Sequence, residues 1–254
     1  MGQLIIIKSM IRPREKNRLE VCNMDNFSQK LGKYLIWIIE GIGIFFIATV
    51  VFLLIQSPTL TMRFFNHESP RNINYIQHLL VLVIGTIVGY ASINLLCKLI
   101  KSNIKGKMRT KITLKGTILA LVFSVIDIVL DVILSTILKT SSSDGDLVPL
   151  LKTGLAPFLI VTIIIVSPIL ENLFFQGFLQ DGVFKKLPPL FSIALTAGLF
   201  ALAHGIIPSW STLEFFIGGI SFALAYYLTD DFKMSALSHI FYNFLVLIVH
   251  LLFG

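Results

Sequence analysis

Charge is the scarcest property of this sequence. Of 254 residues only 14% are charged and 55% are hydrophobic, with a mean hydropathy of +0.85. A soluble globular domain carries about 25% charged residues, so the composition excludes a large soluble core and points to a polytopic membrane protein. Cysteine is nearly missing as well. Cys22 and Cys97 both fall near segments expected in the cytoplasm, which argues against a disulfide and against a cysteine metal cluster. A His-Glu-x-x-His metalloprotease motif is absent, as is any internal repeat of the kind that marks many transporters. The net charge of +7 would suggest nucleic acid only if it were spread over a soluble face. It is confined to short segments between apolar runs, so no nucleic-acid partner is expected. Those segments read as topology signals and contacts with the lipid bilayer.

What is present is a series of long apolar stretches, near 34–56, 76–99, 115–138, 153–180, 190–207, 213–229 and 234–252. Each approaches the length needed to cross a hydrocarbon core of roughly 30 Å. The expected fold is therefore all-α, a polytopic membrane protein of about seven transmembrane helices. The fourth stretch is longer than one span requires, and Pro168 could divide it, which would allow an eighth crossing. Residues 1–33, 98–115, 181–189 and 230–234 hold 17 of the 21 Lys and Arg, leaving Arg63, Arg71, Lys139 and Lys152 on the other side. The positive-inside rule then places the protein in the cell membrane as a multi-pass chain with its N-terminus in the cytoplasm. Three regions follow: a basic N-terminal segment at 1–33, N-terminal spans at 34–149, and a C-terminal membrane core at 150–254. Met1 and Met24 are both candidate starts, since MDNFSQKLGK leads directly into the first span. The loop KSNIKGKMRTK reads as solvated.

Polar groups inside a span are costly, so each is a functional candidate. The stretch SPILENLFFQGFLQ, Ser167 to Gln180, sets Glu171, Asn172, Gln176 and Gln180 into an otherwise apolar helix. Asn172 and Gln176 are four apart, share a face, and can hydrogen-bond each other beside Glu171. Gln180 marks the approach to the cytoplasmic surface. FALAHG places Phe200 one turn before His204, and SHIFYN places His239 and Asn243 four apart on the last helix. Singly, each has a plain structural reading: a protonated carboxyl satisfied by a neighbouring helix, a core histidine, or interhelical glue. Together, an acid, two histidines and an amide on three separate spans can converge on one buried water. Asp127 and Asp131, four apart near the middle of the third stretch, are candidates to line the same cavity. A straight fifth span sets His204 farther out than Glu171 and His239. A break at Pro168 or a later start to that span would bring the three level.

These residues resemble the CPBP family, which includes the CAAX prenyl proteases and the bacteriocin-immunity (Abi) proteins. Its signatures Glu-Glu-x-x-x-Arg, Phe-x-x-x-His and His-x-x-x-Asn correspond in order and spacing to ENLFFQG, FALAH and HIFYN, within about residues 150–250. The resemblance implies that Glu171 activates a water, that His204 holds it, and that His239 with Asn243 stabilises an oxyanion. Two positions depart from the pattern. Asn172 stands where the family has a second glutamate and Gln176 where it has arginine, so a Glu–Arg pair would be replaced by an amide pair with no orphan charge.

The chemistry asked of this set is peptide hydrolysis in a dry site. Glu171 acts as general base and then general acid, and each oxyanion donor is worth about 3–4 kcal/mol. Glu171, His204 and His239 would also suit a catalytic zinc, although the metal-free route is favoured and no cofactor is expected. The expected function is an intramembrane endopeptidase acting on a short peptide or a lipid-anchored protein. The alternative is a catalytically inactive homologue serving as an immunity or regulatory membrane protein. A transporter ranks third.

Overall fold

The computed structural model describes residues 73–138, 151–205 and 209–253, together with Val50. The basic segment 1–33 and the first expected span at 34–56 thus lie outside the described residues, apart from Val50. Among the described residues every regular element is a helix. Tyr75–Leu99 forms α1, Ile104–Met108 the short α2, and Leu114–Leu138 α3. The run Ala156–Val183 is α4, followed by α5 at Pro189–His204, α6 at Trp210–Thr229 and α7 at Phe232–Phe253. Five of these are long and apolar enough to cross a membrane. α1 shows why no soluble reading survives: Ile76, Ile84 and Ile87 are each more than half exposed, a surface that only lipid would accept.

The helix limits follow local chemistry. The Asn74 side chain accepts from the Gln77 N–H at 3.1 Å and caps α1. Ser209 and Thr212 exchange side-chain and backbone hydrogen bonds at the start of α6, a reciprocal cap that fixes where the span begins. Asp230, at φ 50, closes α6 in the left-handed region and turns the chain into α7. α5 stops at His204, short of the 207 expected from hydropathy, because Gly205 is already extended.

α4 is the unusual element. Pro168 does not divide it into two helices, and no additional crossing arises there. Instead the helix widens to π geometry over Thr162–Val166, returns to α geometry over Ser167–Asn172, and widens again over Leu173–Val183. In an α-helix the Pro168 ring would clash with the carbonyl four residues back and remove a hydrogen bond. The wider register avoids the clash by shifting pairing to i→i+5. The Ser167 N–H, for example, bonds the Thr162 carbonyl.

Small residues let the helices approach closely. A Cβ built on Gly219 of α6 would lie 2.9 Å from the Ala197 Cα of α5, so glycine is what permits that contact. α3 packs on α6 and α7, and the spans on either side of residue 150 belong to one compact unit, 51–254.

The loop KSNIKGKMRTK is not simply solvated. Ile104 of α2 is fully buried against Gly177 of α4. Asp181 accepts from Ser102 Oγ, the Asn103 N–H and Lys107 Nζ. Lys107 also pairs with Asp230 at 2.8 Å and sits 4.7 Å from the centre of the Tyr226 ring. Burial alone would lower the Lys107 pKa, but its hydrogen bonds to Asp181 and Asp230 outweigh that and raise it. A lysine raised in the folded state contributes stability in full below its unfolded pKa and loses it only as pH climbs through the folded value. The strap therefore keeps its strength at neutral pH and weakens in strong alkali.

Candidate active site

Glu171 lies on the single α-turn of α4 between the two π stretches, a place where wider turns are frequently functional. It is buried, and Ser167 Oγ, one turn earlier, donates to its Oε1 at 2.5 Å. Its other oxygen, Oε2, faces both histidines: 3.8 Å to His204 Nε2 and 4.0 Å to His239 Nε2. These separations are too long for direct hydrogen bonds and within reach of one shared water. Three helices, α4, α5 and α7, thus bring Glu171, His204 and His239 together.

Neither device expected to level them is used. α4 does not break at Pro168, and α5 starts at Pro189 rather than late. The His204 ring instead folds back along its own helix, as helical side chains do, and its Nδ1 donates to the Phe200 carbonyl at 2.8 Å. That moves the imidazole toward the preceding turn, level with Glu171. With the proton on Nδ1, His204 Nε2 presents a lone pair to the site.

His239 is held the same way by a different partner. Its Nδ1 donates to Asn172 Oδ1 at 2.9 Å. Asn172 Nδ2 donates to Ser235 Oγ at 3.0 Å, and Ser235 Oγ donates to the Phe222 carbonyl at 2.9 Å. The expected Asn172–Gln176 pair is therefore not formed. Both ends of the Asn172 amide are taken by α7, and the Gln176 Oε1 has no hydrogen-bond partner among the described residues. Gln180 packs on another helix. It lies three residues before the end of α4 and is buried, its Nε2 donating to the Ala223 carbonyl of α6.

Asn243 is engaged with the backbone of α4. Its Nδ2 donates to the Ile163 carbonyl at 2.9 Å. In the i→i+5 register that carbonyl faces position 168, where proline has no N–H to offer. A carbonyl left unpaired at membrane depth is costly, and Asn243 satisfies it. Asn243→Ala is accordingly expected to lower stability by about 1–3 kcal/mol, measured as thermal unfolding of the purified protein in detergent.

Aromatic rings form the walls. Phe222 stacks on His239 with centroids 4.1 Å apart, and Phe215 stacks on His204 at 4.3 Å. Phe200 sits between the imidazoles, 4.4 Å from His204 and 5.7 Å from His239, and meets Phe175 edge-on. His204 is the most accessible of the three, its side chain 20% exposed against 5% for Glu171 and His239. Asp127 and Asp131 lie in the seam of α3 with α6 and α7. Asp127 Oδ2 lies against Gly218, and Asp131 accepts from Tyr242 at 3.2 Å.

Sequence reasoning passed over Ser167, Ser235, Phe215 and Phe222. The two serines had a signal, each lying four residues before the ionisable group it serves. The two phenylalanines had none, being ordinary apolar residues until α6 packs across the site. Among the described residues no group of three or more His, Cys, Asp or Glu is arranged to hold a metal ion.

The same region stands out in comparison with known proteins. A family model described as Rce1-like, type II CAAX prenyl endopeptidase, matches residues 153–245. Over those residues the chain is similar to that family. The match agrees with the CAAX-type protease family that the three motifs resemble. The matched residues take in α4, α5, α6 and the part of α7 that carries His239 and Asn243. Neither the curated proteins nor the solved structures give a significant match to the chain.

Proposed function

We propose that this protein is an intramembrane endopeptidase that hydrolyses a peptide bond of a short or membrane-anchored peptide. The observation that carries the reading is the meeting of Glu171 Oε2 with His204 Nε2 and His239 Nε2 from three helices. Apolar packing has no need of a carboxylate and two bare imidazole nitrogens aimed at one point. The Rce1-like match supports the same reaction class.

In the proposed reaction Glu171 takes one proton of a water while His204 Nε2 holds the other. The water oxygen attacks the scissile carbonyl, and the proton on Glu171 then passes to the departing amine as the carbon–nitrogen bond breaks. His239 can donate to the developing oxyanion only once its Nε2 is protonated, because its Nδ1 proton is committed to Asn172. Asn243 contributes by holding Ile163 beneath the catalytic turn rather than by reaching the substrate. The reaction runs through protein groups alone. A prenylated or otherwise lipid-anchored peptide approaching beside His204 would keep its anchor in the bilayer while its backbone reached Glu171. The N-terminus is placed in the cytoplasm on the basic-segment count alone.

The inactive-homologue alternative rests on Asn172 and Gln176. Asn172 is fully engaged in orienting His239, which weakens it. The separating experiment is His204→Ala, checked for unchanged membrane insertion and assayed for cleavage of a membrane-anchored peptide. Loss of roughly a hundredfold or more is expected for a group that orients the attacking water. Full cleavage by this variant would overturn the role of His204, and no cleavage by the unsubstituted protein would remove the protease reading and leave the immunity or regulatory one.

A further inference from the structure

The departure at position 172 raises a specific problem of direction. A glutamate there would be an acceptor at both oxygens and would always take a proton from the histidine beside it. An asparagine offers an acceptor at one end and a donor at the other. Turned around, it would donate to His239 Nδ1 and drive the imidazole proton onto Nε2, the nitrogen that faces Glu171. Something must keep the amide from turning.

We propose that Ser235 is a positioning residue that fixes the Asn172 amide and thereby keeps the His239 proton on Nδ1. The chain of bonds has one end that cannot reverse. The Phe222 carbonyl only accepts, so Ser235 Oγ gives it its proton at 2.9 Å. With that proton spent, Ser235 can only accept from Asn172, and it does so from Nδ2 at 3.0 Å. The amide oxygen is left to face His239 Nδ1 at 2.9 Å. All three side chains are buried, so no bulk water competes for these positions, and buried polar chains of this kind are strongly coupled. Ser235 and His239 are four apart on α7 and present the same face to α4. A neutral amide thus works at position 172 because α7 supplies the hydroxyl that a carboxylate would not have needed. The departure from the family pattern is compensated on a different helix.

The tautomer does not depend on the hydrolase reading, whereas the use made of it in catalysis does. The test uses the full chain, labelled with 15N-histidine, in lipid nanodiscs. The His239 signals are assigned by their loss in His239→Asn. In the unsubstituted protein Nδ1 is expected to carry the proton and Nε2 to be bare. In Ser235→Ala the Nε2–H form rises to at least equal population, and Ser235→Thr, which keeps the hydroxyl, restores the original state. With Asn172→Asp in place, removing Ser235 leaves Nδ1 protonated, since a carboxylate accepts whichever way it turns. The assignment is overturned if Ser235→Ala keeps the proton on Nδ1, or if removing Ser235 has the same effect with asparagine and with aspartate at 172. Should Ser235→Ala fail to fold, a Ser235→Thr protein whose proton sits on Nε2 also overturns it. An unsubstituted protein that cleaves nothing but shows the expected tautomers would count against the protease reading and leave the role of Ser235 intact.

Discussion

Glu171→Gln is expected to fold, insert and bind substrate normally and to lose at least about a thousandfold in kcat. The substitution keeps the shape of the side chain and an oxygen able to accept from Ser167 Oγ, so the catalytic turn should hold its form. What disappears is the carboxylate facing both imidazoles, and with it the group proposed to take the water proton and return it to the leaving amine. General acid–base groups contribute about 10²–10⁴-fold, and here one residue performs both transfers. A loss confined to kcat would place the effect in the transition state, whereas a rise in KM alone would indicate a binding role. The measurement is the rate of product formation from a membrane-anchored peptide, with helicity and detergent elution compared between the two proteins.

Gly219→Leu is expected to have the largest effect on the fold. A Cβ at Gly219 would come within 2.9 Å of the Ala197 Cα and 3.2 Å of its carbonyl oxygen. Both are backbone atoms in mid-helix and cannot rotate away. Overpacking a core costs typically 1–3 kcal/mol, and a clash against backbone should reach about 3 kcal/mol or more, a large share of a typical total of 5–15 kcal/mol. The site would fail with the fold, since α5 carries His204 and α6 carries Phe215 and Phe222. Gly198→Ala is the matched control: it lies on α5, with open space where its Cβ would go. It should be neutral or stabilising by up to about 1 kcal/mol. Thermal unfolding of the two variants in the same detergent checks the pair, and equal stabilities would contradict the packing account.

The spans were readable because lipid leaves little choice. A segment at membrane depth must be apolar and satisfy its own backbone, so the stretches at 76–99 and 115–138 match α1 and α3 to within a residue or so. Glu171, His204 and His239 could be singled out for the same reason, as ionisable groups where they are expensive. Partnerships between helices were not readable. Spacing within one helix paired Asn172 with Gln176, but the stronger partners lie on α7, far away in sequence. Nor could spacing show that Asn243 would be drawn to the Ile163 carbonyl. That bond depends on the widened turn around Pro168, and a proline in a sequence signals disturbance without saying which form it takes. Ile104 was hidden in another way: surrounded by lysines, it read as loop, and only its fit against Gly177 explains its burial.

The central claim is that Glu171, His204 and His239 direct a water onto a peptide bond inside the membrane. Its most direct test is to reconstitute the purified chain in liposomes with membrane-anchored peptides in ¹⁸O-labelled water and to analyse the products by mass spectrometry. New fragments carrying ¹⁸O in the carboxyl group at the cleavage point, and absent with Glu171→Gln, are the predicted result. Intact peptides with the unsubstituted protein, or equal cleavage by the Glu171→Gln variant, would contradict it.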